Sequence, residues 1–137
     1  MKLYMKATVK KYILNFKQAS GTSRGVMTEK ETWFLILENE GKKGIGECCV
    51  FRGLSYDDRL DYSDKLIEVC QWIEAGKKAD ELWEMLRDWP SIQFGVEQAF
   101  LSLESHHPFV LFPSRFTNSQ AAIPINGLVW MGSKAFM

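Results

Sequence analysis

The sequence predicts an α+β domain in which a three-stranded antiparallel sheet precedes three short helices. The first half of the 137-residue chain alternates apolar and polar residues with the period of a strand, and the second half repeats apolar residues at helical spacing. Short loops separate the predicted strands, and strands joined in this way pair antiparallel. A chain of this length can bury a core as one domain of ordinary size.

The predicted strands occupy residues 3–16, 31–40 and 44–51. In the first strand, Met5, Ala7 and Val9 alternate with polar residues, which is typical of a half-buried strand. Residues 21–25 interrupt the pattern with glycine, serine and arginine, as loops do. Residues 40–42 (Glu-Gly-Lys) predict a hairpin turn between the second and third strands.

Three helical faces are predicted from apolar residues at the spacing i, i+3, i+4, i+7. Their apolar positions are Leu66, Val69, Cys70 and Ile73; Leu82, Met85, Leu86 and Trp89; and Val96, Ala99, Phe100 and Leu103. We expect Gly76 to end the first helix and Asp80 to cap the second. Pro90 and Ser91 are expected to separate the second helix from the third.

The segment after residue 106 has a different composition. Residues 107–122 are expected to form a connecting loop, because prolines and serine recur there. Residues 123–137 are interpreted as a strand followed by the start of a helix, which is how a βα unit begins. The predicted division is therefore residues 1–106, 107–122 and 123–137, the last being the first piece of a larger architecture.

The composition argues against several classes of protein. Seventeen basic and seventeen acidic residues cancel, and no block of like charge supports a nucleic-acid partner. The apolar runs are too short for a membrane span, and lysines interrupt any signal-peptide core. Cys48, Cys49 and Cys70 fit neither a disulfide framework nor a zinc spacing, which favours reduced thiols in the cytoplasm.

Four segments resemble those of one enzyme family: GTSRGVMTEKETWFLILENE, GIGECCVFRGLSYDDR, SIQFGVEQAFLSLE and FPSRFTNSQAAIPINGLVWMG. They are similar to the o-succinylbenzoate synthases of menaquinone biosynthesis, members of the enolase superfamily, and the resemblance spans nearly the whole chain. The GIGE and FGVEQAFLSLE segments are shared across the superfamily, whereas SRGV, FRGLS and INGLVWMG are narrower. The resemblance implies that residues 1–106 form an N-terminal capping domain and that residues 123–137 begin a (β/α) barrel.

The resemblance also implies an activity. These synthases are lyases that remove water from a succinylated hydroxycyclohexadiene carboxylate to give o-succinylbenzoate. In the family, a barrel lysine takes the proton beside the carboxylate, and Mg²⁺ held by acidic residues stabilises the enediolate. Those groups lie on later barrel strands, so no catalytic residue and no metal ligand is assigned in this sequence. We expect residues 1–137 to be inactive alone, with a small-molecule carboxylate as the enzyme's substrate; a homo-oligomer stays open.

The family's capping domain contributes two lid loops, which correspond here to residues 21–28 and 51–56. The candidate substrate-binding residues are Ser23, Arg24, Gly25, Phe51, Arg52, Leu54 and Trp130. Arg24 offers a planar cation to a carboxylate, or is simply an exposed arginine. Phe51 and Leu54 form an apolar wall that excludes water, or pack into the core.

Three further positions have competing interpretations. Arg52 contacts the substrate or pairs with Asp57 or Asp58 at the surface. Trp130 lies at the end of the predicted barrel strand, where it forms a pocket wall or packs in the core. Glu47, a charged residue in an apolar strand, is expected to anchor backbone groups or an arginine.

Two other functions stay open on sequence alone. A dipeptide epimerase or N-acylamino-acid racemase of the same superfamily would use the same capping domain, although the SRGV and FRGLS segments favour the synthase. A self-contained α+β binding module would instead pack residues 123–137 onto the domain as a finished element. For a truncated barrel, residues 123–130 should have no strand neighbour within this chain.

Overall fold

The structure, a computed structural model, describes residues 5–23 and 25–127. Three strands precede three helices: β1 (Lys6–Thr22), β2 (Gly25–Asn39), β3 (Lys42–Cys48), α1 (Tyr62–Glu74), α2 (Ala79–Met85) and α3 (Pro90–Glu104). The strands form one antiparallel sheet in the order β1-β2-β3. The α+β fold predicted from the two kinds of periodicity is confirmed.

The turn between β2 and β3 is the predicted one. Asn39 pairs with Lys42 across it, and the two residues between them, Glu40 and Gly41, have φ of 50° and 79°. Two consecutive residues with positive φ are characteristic of the tight type I′ hairpin turn, whose twist matches that of the flanking strands. Glycine takes this conformation without steric cost, whereas Glu40 does not.

The hairpin of β1 and β2 is longer than predicted. Its ladder continues to the pair Thr22 and Gly25, with a register shift between Asn15 and Ser20. The prediction that residues 21–28 form a loop is therefore wrong for most of that segment. The polar residues before the turn do not alternate with apolar ones, so no side-chain pattern predicts that they pair. They pair because backbone N–H and C=O groups need hydrogen-bond partners.

The apolar core lies between one face of the sheet and the helices. Its buried members are Ala7, Leu35, Leu37, Cys48, Val50, Tyr62, Leu66, Val69, Cys70, Ile73, Leu82, Leu86, Trp89, Ile92, Val96, Ala99 and Leu103. Helix α3 lies directly on β3 because Gly46 has no side chain. A Cβ atom at Gly46 would lie 1.8 Å from the carbonyl oxygen of Gly95, so this close approach requires glycine.

Side chains of α3 also accept hydrogen bonds from backbone N–H groups on the outer edge of β3. The backbone N–H of Ile45 donates to Ser102 Oγ at 2.9 Å, and that of Glu47 donates to Gln98 Oε1 at 2.8 Å. Unpaired N–H groups on an edge strand would otherwise offer pairing sites to another chain. These two bonds therefore protect the edge and fix the register between sheet and helix.

Gly76 closes helix α1, as predicted. Gly76 has φ of 93°. Its N–H donates to the carbonyl of Ile73, and the N–H of Lys77 donates to the carbonyl of Trp72, both at 2.9 Å. This pair of bonds is the Schellman motif, in which a glycine in the left-handed region closes a helix.

The start of α2 differs from the prediction. Asp80 lies inside the first turn, and the residue that caps the helix is Lys78, whose N–H donates to Glu81 Oε2 at 3.0 Å. A glutamate three residues past the cap can reach back in this way. Leu82 is buried as predicted, but Met85, the last residue of the helix, is 43% exposed.

The segment after α3 is irregular. Residues 107–127 contain bends and turns but no helix or strand, and residues 112–127 are exposed. Within the described part of the chain, residues 123–127 therefore have no strand neighbour. The rest of that predicted strand and the helix start lie outside the described residues, so the barrel start and the domain boundaries stay predictions.

Candidate functional site

A cleft lies between the tip of the β1–β2 hairpin and the loop that joins β3 to α1. Its volume is about 700 Å³, and it is lined by Ile13, Ser23, residues 25–31 and residues 50–54. Both predicted lid segments thus meet at one cleft. The predicted site residues on it are Ser23, Gly25, Phe51, Arg52 and Leu54, whereas Arg24 and Trp130 lie outside the described residues.

The hairpin tip brings small residues to the edge of the cleft. Ser23 is exposed, and Gly25 has φ of 136°, a conformation that residues with a side chain rarely adopt. Val26, directly after the turn, is 72% exposed. The described residues of the tip therefore present backbone, a hydroxyl and an apolar side chain to the cleft.

Arg52 is held by two carboxylates. Its Nη1 lies 2.8 Å from Asp58 Oδ1, its Nη2 lies 2.7 Å from Glu31 Oε1, and its guanidinium lies 5.4 Å from the centroid of the Tyr62 ring. The hydrogen bonds to Asp58 and then Glu31 raise the pKa of Arg52. The predicted pairing is confirmed for Asp58 and not for Asp57, and it makes Arg52 a residue that positions the β3–α1 loop.

Glu31, which the sequence did not single out as a site residue, joins this network to the sheet. Its carboxylate accepts hydrogen bonds from Arg52 and from Trp33 Nε1 at 2.8 Å, and pairs with Lys11 at 2.9 Å. Burial alone would raise the pKa of Glu31, but the bonds from Lys11, Trp33 and Arg52 together lower it to about 2. The available signal was its position, since Glu31 alternates with Trp33 and Leu35 on the core-facing side of β2.

The β3–α1 loop presents Leu54 at its tip. The N–H groups of Leu54 and Ser55 donate to the carbonyl of Phe51 at 3.1 and 2.9 Å, and Phe51 N donates to Ser55 Oγ at 2.8 Å. Gly53 has φ of 77°, which permits this tight turn. Phe51 is half-buried and Leu54 is 54% exposed. The loop thus holds an accessible apolar side chain on a fixed backbone, and of the two alternatives for Leu54 its exposure excludes packing in the core.

A polar cluster lies on the sheet face opposite the core, beside the cleft. Glu47 Oε1 accepts a hydrogen bond from the hydroxyl of Thr32 at 2.7 Å and lies 3.8 Å from Lys30 Nζ. Lys30 Nζ donates to Cys49 Sγ at 2.6 Å and lies 5.1 Å from the centroid of the Phe51 ring. Glu47 therefore binds a hydroxyl and a lysine, and the expectation that it binds backbone groups or an arginine is wrong.

Asp57 anchors the same loop to the start of α3. Its carboxylate is buried, and Oδ2 accepts hydrogen bonds from Ser91 N at 2.8 Å and from Ser91 Oγ at 2.6 Å. Pro90 carries no N–H, so the N–H of Ser91 is the first one of α3 that needs an acceptor. A carboxylate at a helix N-terminus is also favoured by the helix dipole.

The described residues do not fit a metal site. Across residues 5–23 and 25–127, no group of three or more His, Cys, Asp or Glu side chains is placed to hold a metal ion. Of the two carboxylates that line the cleft, Glu29 and Glu31, Glu31 is engaged by Lys11 and Arg52, and Glu47 beside the cleft is engaged by Lys30.

No helix among the described residues has the length and apolarity that crossing a membrane requires.

The sheet followed by helices is the fold of the N-terminal capping domain of the enolase superfamily. The chain is similar to the solved structure of MenC from Desulfotalea psychrophila, with a TM-score of 0.74 and 26% identity, covering 97% of this chain and 44% of that one. It also resembles the fold of the o-succinylbenzoate synthase from Thermosynechococcus elongatus, which was solved with magnesium in its active site. That TM-score is 0.57 at 22% identity, covering 74% of this chain and 31% of that one.

Among curated proteins, the chain is similar to the o-succinylbenzoate synthase of Desulfotalea psychrophila. The two are 33% identical over 162 aligned residues, which cover 97% of this chain and 44% of the relative. The chain thus spans less than half the length of the curated relative that it matches. No family model matches the chain. The resemblance identified from its segments is confirmed, and it lies in the N-terminal portion of the related proteins.

Proposed function

We propose that this chain forms the substrate-facing cap of an o-succinylbenzoate synthase, a cytoplasmic lyase of menaquinone biosynthesis. The enzyme would remove water from a succinylated hydroxycyclohexadiene carboxylate. The observation that carries the proposal is the 33% identity to the Desulfotalea psychrophila synthase along 97% of the chain. Since the match covers 44% of that relative, the activity is proposed for the enzyme in which the cap works, not for the cap alone.

In this proposal, the cleft faces the substrate. Leu54 and Phe51 line it with apolar surface suited to a ring and to the exclusion of water. Arg52 holds the loop in place through Asp58 and Glu31, and so acts on the substrate through the loop. Arg24 is proposed to bind a carboxylate of the substrate, and Trp130 is proposed to form part of the pocket wall. Both lie on segments that are predicted to face the substrate.

Magnesium is proposed for the complete enzyme, and no ligand for it is assigned among the described residues. The Thermosynechococcus elongatus synthase holds magnesium in its active site. A bound divalent cation would stabilise the negative charge that develops when a proton beside a carboxylate is removed. The cap's own contribution is to shape the cleft and keep water out of it.

A dipeptide epimerase is the alternative within the same superfamily. A protein from Agrobacterium tumefaciens with homology to dipeptide epimerases matches with a TM-score of 0.57, but its 22% identity supports the fold alone. The synthase relative is 33% identical over nearly the whole chain. This difference favours dehydration over epimerisation.

The test is a paired assay of the full-length protein that contains residues 1–137. With Mg²⁺ present, the succinylated hydroxycyclohexadiene carboxylate is supplied and the aromatic product is followed by absorbance; L-Ala-L-Glu is supplied in parallel and epimerisation is followed by NMR. We expect dehydration that chelation of Mg²⁺ abolishes, and no epimerisation. Epimerisation without dehydration, or turnover of neither substrate, would contradict the proposal.

A further inference from the structure

The contact between Lys30 and Cys49 is unusually close. Lys30 Nζ lies 2.6 Å from Cys49 Sγ. An ordinary N–H···O hydrogen bond measures about 2.9–3.0 Å between nitrogen and oxygen, and sulfur is a larger atom than oxygen. The separation is therefore too short for a relaxed hydrogen bond to sulfur, and it leaves room for one bridging atom between nitrogen and sulfur.

We propose that Lys30 and Cys49 form an oxidative modification site, at which a peroxide joins the lysine nitrogen to the cysteine sulfur through one oxygen atom. Written from the thiol and the neutral amine, the two groups react with two molecules of hydrogen peroxide to give S–O–NH and three molecules of water. Sulfur loses its hydrogen and nitrogen loses one. One S–O and one O–N bond form, both peroxide O–O bonds break, and four electrons pass from the two side chains to the peroxide.

The neighbouring side chains hold the two reacting atoms together. The thiol of Cys49 donates to Glu47 Oε1 at 3.6 Å, so the carboxylate of Glu47 is positioned to accept the thiol proton. The same oxygen lies 3.8 Å from Lys30 Nζ, and the hydroxyl of Thr32 fixes it at 2.7 Å. The side chain of Lys30 is 12% exposed and lies over the Phe51 ring. Reactive groups fixed in this way react as though at high local concentration.

Cys49 is also the thiol that an oxidant can reach. It is half-exposed, whereas Cys48 and Cys70 are buried. Burial raises the pKa of both buried thiols, that of Cys70 to about 11. Because the thiolate is the form that reacts, peroxide should attack Cys49 before either of them.

The link would change the edge of the cleft. It would convert the Lys30 ammonium to a neutral group and would tie β2 to the segment that leads into the β3–α1 loop, and both Lys30 and Phe51 line the cleft. A thiol reductant should open the link again, as it does other singly oxidised forms of cysteine. The link requires only Lys30 and Cys49, so its formation does not depend on the proposed synthase activity.

The test treats purified residues 1–137 with hydrogen peroxide and follows the intact mass and the tryptic peptides. We expect a gain of about 14 mass units, since one oxygen is added and two hydrogens are lost. We also expect a peptide that joins Lys30 to Cys49, loss of tryptic cleavage after Lys30, and recovery of the original mass with dithiothreitol.

Two variants separate the link from general oxidation. Lys30→Arg keeps the positive charge and should abolish the linked peptide. Lys43→Arg, which alters a lysine on β3 that pairs with Glu38 at 3.4 Å, should leave the link unchanged. A wild-type chain in which Cys49 carries only added oxygen or forms a disulfide between chains would overturn the proposal. The same mass gain in Lys30→Arg would overturn it as well.

Discussion

Gly46 and Gly95 are the residues through which the sheet and α3 approach most closely. A Cβ atom at Gly46 would lie 1.8 Å from Gly95 O and 2.8 Å from Ala99 N. Both are backbone atoms, so α3 would have to shift to make room. Gly46→Ala is therefore expected to lower the free energy of unfolding by about 3 kcal/mol in urea titrations.

The control for that substitution is Gly127→Ala. Nothing lies within 4 Å of a Cβ atom placed at Gly127, so the change should stay within about 0.5 kcal/mol. Equal effects of the two substitutions would show that the contact between sheet and helix is looser than described.

Glu31 makes the stability of the fold depend on pH. Its pKa falls from the ordinary 4.5 to about 2 in the folded chain. Ionised Glu31 therefore stabilises the fold fully above pH 4.5, and this contribution is lost as the pH falls from 4.5 towards 2. Glu31→Gln should lower the free energy of unfolding near neutral pH by about 1–3 kcal/mol, and the gap from wild type should close in acid.

The measurement is denaturant unfolding of both proteins at a series of pH values. Glu84→Gln provides the control, since its pair with Arg87 is exposed and such pairs contribute little. A gap for Glu31→Gln that stays constant down to pH 2 would refute the assigned role.

At the residue scale, the sequence predicts roles that depend on the backbone better than roles that depend on distant partners. Gly76 was predicted to close α1, because glycine is the residue that takes the left-handed conformation there. The role of Glu31 depends on Lys11 and Arg52, which only the folded sheet brings beside it. The partners of Glu47 were mispredicted for the same reason.

At the scale of elements, the turn of the β2–β3 hairpin offers a stabilising change. Glu40 has φ of 50°, a conformation that asparagine tolerates better and that the pair Asn-Gly favours in type I′ turns. Glu40→Asn is expected to raise the free energy of unfolding by about 0.5–1 kcal/mol, because part of the backbone strain is relieved. Thermal and urea unfolding measure the gain.

Glu40→Gln is the matched control for the turn. It removes the same charge without easing positive φ, so no gain in stability is expected. Equal stabilisation by Gln and Asn would mean that charge, not backbone conformation, limits this turn.

Element ends agree with the sequence where residues suited to a turn mark them, as Glu40 and Gly41 mark the end of β2 at Asn39. The start of β2 at Gly25 lies six residues before the predicted residue 31, although Leu35 and Leu37 in its apolar part are buried. The hairpin extension up to Thr22 and Gly25 is held by backbone pairing in a polar segment, and it escaped prediction for that reason. The predicted start of α2 is displaced because Asp80, a good capping residue, lies two residues after Lys78, which takes the cap position.

At the scale of the molecule, the sheet and helices form a support for the cleft at one end. The hairpin tip and the β3–α1 loop meet there, and Arg52, Glu31 and Asp57 fix the loop to β2 and α3. The sequence predicted that these two segments act together, because the resemblance to the capping domain places both lids on one side. It did not predict the ion pairs that hold them.

The central claim is that this cleft faces the substrate of a synthase, and kcat/KM for dehydration by the full-length enzyme tests it most directly. Leu54 lines the cleft, whereas Leu60 is fully exposed and outside its lining. Leu54→Ala removes apolar contact of about 1.5 kcal/mol, so kcat/KM should fall about tenfold, and Leu60→Ala should leave it unchanged. A kcat/KM for Leu54→Ala equal to that of the wild type would contradict the account.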